Sequence, residues 1–182
     1  MARGARSGRT GLSPVDADSR QRLAELPPAG LLRRFGALVY DGLLVIALVL
    51  TTAGLANLFA GRPDIPDDAA SVSLENMQTV SGPLLGSVIV IVVFTFFAYF
   101  WVRHGRTLGM QAWRLRVQTV DGYNIPLVQA WKRFLAAIPS LGLLGIGYFW
   151  MWLDPNRRTW PDRLSGTRIV ALPADLDPQL KD

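Results

Sequence analysis

The chain contains no cysteine and a single histidine, His104, among its 182 residues. No disulfide framework, thiol nucleophile or cysteine-bound metal is therefore available. One protomer cannot supply a zinc site built from histidines. Charge is also scarce. Asp, Glu, Lys and Arg make up 18% of the chain, against about 25% in an ordinary soluble protein. Apolar residues reach 50% and the mean hydropathy is +0.24. That balance is the one a membrane protein of single-domain size shows.

Charge is missing from three long runs. Around Asp41, FGALVY and GLLVIALVLTTAGLANLFAG give a segment over about 35–60. As a helix it would be roughly 39 Å long, against a bilayer core of about 30 Å. PLLGSVIVIVVFTFFAYFWV, residues 83–102, is a second predicted span. Pro83 stands where helix-start prolines belong. Tyr99 and Trp101 stand at the far end, as an interfacial aromatic belt would. The third run, FLAAIPSLGLLGIGYFWMWL at 134–153, is interrupted by Pro139, Gly142, Gly145 and Gly147. It reads either as one kinked span or as a hairpin that dips in and returns, with the Pro139–Gly147 stretch as its tip.

The remaining segments are polar. Residues 1–29 carry no apolar run of signal-peptide length and read as a flexible basic cytoplasmic tail. Residues 61–82 are an acidic loop broken by Pro63 and Pro66. Leu115, Val117 and Thr119 alternate before an Asp-Gly pair, which predicts a strand and a turn. GTRIVALP at 166–173 is strand-like and is expected to pair with it outside the bilayer, giving a short cytoplasmic β-hairpin-like element. Residues 173–182 read as a C-terminal tail. The fold class is thus an all-α membrane protein: a small transmembrane helical bundle with two firm spans, a third kinked or hairpin segment, and this element.

Arginines set the orientation. Residues 1–35 hold seven arginines against three acids, and 103–133 hold six basic residues against one acid. The positive-inside rule places both segments in the cytoplasm. A third complete crossing would put Arg157, Arg158, Arg163 and Arg168 outside, which favours the hairpin. Nucleic-acid binding is not indicated, because no binding motif accompanies the basic charge.

Asp41 is the one charge inside a predicted span. A carboxylate there costs several kcal/mol unless it is paired, hydrated or neutralised. Arg34 lies seven residues earlier, near two helical turns, and so shares its face. Within one helix the two are roughly 10 Å apart along the axis. A third group must complete the site. The candidates are Arg103, Arg106, Arg114, Arg116, Lys132 and Arg133, with Asp162 and Arg163 in TWPDRLSGT at 159–167. A network of Arg34, Asp41, Asp162 and basic residues is expected at the cytoplasmic mouth. It is either a structural staple or a site for a monovalent cation or proton. Asp162 also suits a turn cap, and Arg34 a topogenic, headgroup-binding role. Trp113, Trp131, Trp150, Trp152 and Trp160 read as interfacial anchors. Ser165 has no nearby histidine base and no nucleophile elbow, and Asp162 lies outside the spans, so no enzyme is expected.

Arg34 and Asp41 in the first span, RTLGMQAWRLRVQTVDG at 106–122, Arg133 and DRLSGT at 162–167 together resemble the RDD family of bacterial membrane proteins, over about residues 29–172. The resemblance implies that Arg34, Asp41 and Asp162 are the arginine and two aspartates of that name, supported by Arg106, Arg133 and Arg163. Family members often carry Gln where Arg106 stands. It further implies a small multi-span bundle in the bacterial inner membrane, with ligand transport the usual suggestion. Two functions are carried forward. One is an oligomeric transport or ion-coupling component using Asp41. The other is a non-transporting interaction or assembly module with a homo-oligomeric or membrane-protein partner. No cofactor or metal is expected in either.

Overall fold

The computed structural model describes residues 17–59, 82–174 and 176. The acidic loop, the first sixteen residues and most of the C-terminal tail lie outside the described residues. α1 (Ala17–Glu25) is followed by α2 (Leu31–Phe59), α3 (Pro83–His104), α4 (Leu108–Ala112), β1 (Leu115–Thr119), α5 (Leu127–Gly142), α6 (Ile146–Phe149), a 3-10 turn at Trp150–Trp152, α7 (Trp160–Ser165) and β2 (Thr167–Ala171).

α2 and α3 are each long and apolar enough to cross a membrane. In hydrocarbon every backbone group must be satisfied within the chain, and a helix does this locally. α3 starts with Pro83 in its first turn and stops at Gly105, whose φ of 68° puts it in the left-handed region. There its N–H bonds back to the Trp101 carbonyl at 3.1 Å, a glycine C-cap.

The third apolar run is bent. α5 and the α6–Trp152 segment meet at 109°. Pro139 does not make this break: it stays inside α5, and its carbonyl accepts from Leu143 N–H at 3.0 Å. The helix ends where Leu144 (φ 55°) and Gly145 (φ 81°) turn left-handed in succession. The bend is held by a close approach. A side chain on Gly147 would strike Ser140, whose Cβ stands 2.5 Å from where that side chain's Cβ would sit.

β1 and β2 pair antiparallel, from Leu115 opposite Ala171 to Thr119 opposite Thr167. This is the pairing expected from the alternation pattern. It forces the chain between them to return to where it left, which a straight third crossing would not allow. Residues 17–29, expected as part of a tail, are folded against this sheet. Gln118 Nε2 donates to the Leu23 carbonyl at 2.6 Å, and Ala29 N–H to the Ile169 carbonyl at 2.9 Å. Leu23 supplies the reason: it is buried to 1% exposure, and removing such a side chain from water is worth about 2 kcal/mol. The core beneath the sheet joins Ala37, Trp101, Met110, Leu115, Val117, Phe134 and Ile169.

Candidate functional site

Two buried polar centres lie between the helices and the sheet. The first is built on Asp162. Thr159 caps α7: its hydroxyl accepts from Asp162 N–H, while the Asp162 carboxylate accepts from Thr159 N–H at 3.1 Å. This reciprocal arrangement is a capping box. The same carboxylate takes Arg34 of α2 on Oδ2 and Arg133 of α5 on Oδ1, the latter at 2.6 Å. Asp162 is fully buried, and both guanidinium groups nearly so. Burial pushes its pKa up. The charges of Arg34 and Arg133, and the hydrogen bonds from both, outweigh this and hold it at about 2.

The arginines are themselves positioned. Arg34 Nε donates to the Ala29 carbonyl at 2.9 Å and Nη2 to the Ile169 carbonyl at 3.2 Å. Arg133 Nη1 also donates to Thr167 Oγ1 at 2.8 Å, and its guanidinium stands 5.5 Å from the Trp101 ring centre. One carboxylate therefore connects α2, α5, α7 and, through Ile169 and Thr167, β2.

The second centre is built on Asp41, and it differs from the single network expected. Asp41 Oδ2 accepts from the Thr107 hydroxyl at 2.5 Å and Oδ1 from Gly109 N–H at 2.9 Å. Thr107 in turn caps α4, accepting from Met110 N–H at 3.2 Å. Asp41 thus holds the first turn of α4 rather than the Arg34–Asp162 pair. The contact needs Gly109, since a Cβ there would stand 2.8 Å from Asp41 Cγ and strike the Ala37 carbonyl. It also needs Gly36, because a Cβ at that position would fall within the Trp113 ring. Trp113, read as an interfacial anchor, is packed on α2. Charge alone could not reveal Thr107, Gly109 or Gly36. The signal was the small residues at 107 and 109, just after α3.

Three supporting arginines separate in space. Arg133 reaches Asp162. Arg163 does not: half exposed, it faces Asp154 at 3.8 Å and the Trp150 ring at 6.0 Å. The reason is helical geometry. Neighbours in a helix point about 100° apart, so residue 163 faces away when residue 162 faces in. Arg106 is buried beside Arg116, whose pKa falls to about 10, through burial and then the charge of Arg106. Ser165 donates to the Pro161 carbonyl at 2.5 Å. Among the described residues, no three His, Cys, Asp or Glu side chains converge to hold a metal.

A cavity of about 270 Å³ touches both centres. Arg34, Asp41, Arg133 and Tyr148 are its polar lining, and Val45, Val93, Phe97, Phe134 and Ile138 are among the apolar residues.

The RDD family model matches residues 28–166. No curated protein and no solved structure matches the chain. The match covers most of the sequence, so this chain belongs to the RDD family, a family of membrane proteins.

Proposed function

We propose that this chain is a membrane-embedded assembly module in which Arg34, Asp41 and Asp162 act as structural staples. The observation that carries this reading is that both carboxylates are engaged on both oxygens by groups that join separate elements. Such a network fixes how the sheet, α4 and α7 sit on the spans, and so presents a set polar surface to a partner. The sites for that partner are the lipid-exposed faces of α2 and α3, where Leu43, Ile46, Leu50 and Ile91 are exposed, and the polar cap. The partner is another membrane protein. By the arginine distribution, the N-terminus and the sheet lie on the cytoplasmic side of a bacterial inner membrane. Crosslinking in intact membranes tests the reading. Covalent products with one recurrent membrane protein support it, and products with itself alone count against it. Monomer alone, at native abundance, removes it.

One observation favours a second reading, ion-coupled transport by an oligomer. Asp41 lines the 270 Å³ cavity between the helices, and intramembrane carboxylates mark ion pathways. In that reading Asp41 binds a proton or monovalent cation. Loss of cation-dependent flux in Asp41→Asn, with the fold intact, is its required consequence.

A further inference from the structure

A groove of about 660 Å³ opens on the polar cap beside the start of α2. Arg33 lines it from the first turn of α2, and Trp113 and Arg114 from the turn between α4 and β1. Its floor is apolar, with Leu26, Pro27 and Leu172. No acidic side chain is among its lining residues. Neither Arg33 nor Arg114 makes a side-chain hydrogen bond or ion pair with another described residue. Among the described residues, these are two cations held at one groove without a countercharge.

The groove is built rather than incidental. Trp113 is fixed by its seat on Gly36. Arg114 has a φ of 51°, in a region that non-glycine residues seldom adopt. Its backbone is locked on both sides: its N–H donates to the Gln111 carbonyl at 3.1 Å, and its carbonyl accepts from Leu172 N–H at 2.8 Å. The sheet therefore holds residue 114 in a conformation its own preference opposes, next to Arg33.

The surroundings identify the occupant. Tyr40 is 53% exposed and Leu44 37% exposed on α2, seven and eleven residues after Arg33 and so on its face of the helix. The groove therefore lies where the apolar surface of a spanning helix begins. Guanidinium groups bind phosphate through paired N–H donors, and tryptophan favours this level of the bilayer. We propose that the groove is a binding site for the headgroup of an anionic phospholipid, with Arg33 and Arg114 gripping its phosphate. Tyr40 and Leu44 lie where the acyl chains would run. The apolar surface running out of the groove is why a lipid, rather than free phosphate, is its ligand.

The test uses the full chain purified in mild detergent. Native mass spectrometry and unfolding midpoints are recorded with phosphatidylglycerol, with phosphatidylcholine of the same acyl chains, and with inorganic phosphate. Phosphatidylglycerol is expected to give a discrete one-lipid adduct and a midpoint that rises with concentration. Phosphatidylcholine is expected to give neither. Arg33→Gln with Arg114→Gln should weaken the adduct by roughly tenfold or more, as removal of two cations near an anionic headgroup predicts. Arg103→Gln with Lys132→Gln removes the same charge from exposed positions elsewhere and should leave the adduct in place. Equal loss in both double variants would mean diffuse attraction and overturn the site. An equal response to both lipids, or a midpoint raised by inorganic phosphate as much as by phosphatidylglycerol, would also overturn it.

Discussion

Arg34 and Asp162, 128 residues apart in the chain, meet in a buried ion pair. The pair joins the first spanning helix to the last short one. Arg133 occupies the other oxygen of the same carboxylate at 2.6 Å. Two cations thus depend on one anion, and the consequences of losing it are large.

Asp162→Asn should destabilise the fold by about 3–5 kcal/mol, because two buried guanidinium groups lose their countercharge. Chemical denaturation in detergent measures this. A loss under about 1 kcal/mol would show that Asp162 does not hold the elements together. Arg163→Gln is the internal contrast. Its side chain is 46% exposed, and exposed pairs contribute about 0–1 kcal/mol.

The same carboxylate sets a pH dependence. Its folded pKa is about 2, below the ordinary value of 3.8. A depressed pKa contributes stability above the unfolded value, and this is lost as pH falls through the folded one. The advantage of wild type over Asp162→Asn should therefore be constant above about pH 5 and shrink between about pH 4 and pH 2, by roughly 2 kcal/mol. Unfolding midpoints of both proteins across that range check it. An advantage that grew on acidification would contradict the assignment.

Asp41 and Thr107 should be coupled. Asp41→Asn and Thr107→Val are each expected to cost about 1–3 kcal/mol, the usual consequence of leaving a buried polar group unpaired. The double variant should cost clearly less than their sum, since both remove one hydrogen bond. Strict additivity in a double-mutant cycle would show that the two side chains act separately.

Glycines should divide by their surroundings. Gly109→Ala would drive a methyl into Asp41 and the Ala37 carbonyl, and Gly147→Ala would drive one into Ser140. Each should cost about 1–3 kcal/mol or more, as overpacking does. Gly54, in α2 with nothing within 4 Å of an added Cβ, should accept alanine with a gain of about 0.5–1 kcal/mol. Melting temperatures of the three variants in one detergent would rank them. A Gly147→Ala protein as stable as Gly54→Ala would mean the α5–α6 bend is not packed as described.

Hydrophobic run length determined the two spans, because a 20-residue apolar segment has few stable fates other than crossing a bilayer. Alternation and Asp-Gly determined β1 and its turn, and the arginine-rich segments suggested which ends share a side. The chain's resemblance to its family was carried by the same residues that now form the two polar centres. What tertiary structure decided was partnership. Asp41 and Asp162 are alike as residues, and helix spacing put Asp41 on a face with Arg34. The packing of α4 against α2 gave Asp41 to Thr107 and Gly109 instead. The return of α7 along α5 gave Asp162 to both arginines. Local rules reach only a few residues along the chain, whereas a buried carboxylate is satisfied by whichever donors the folded helices bring to it.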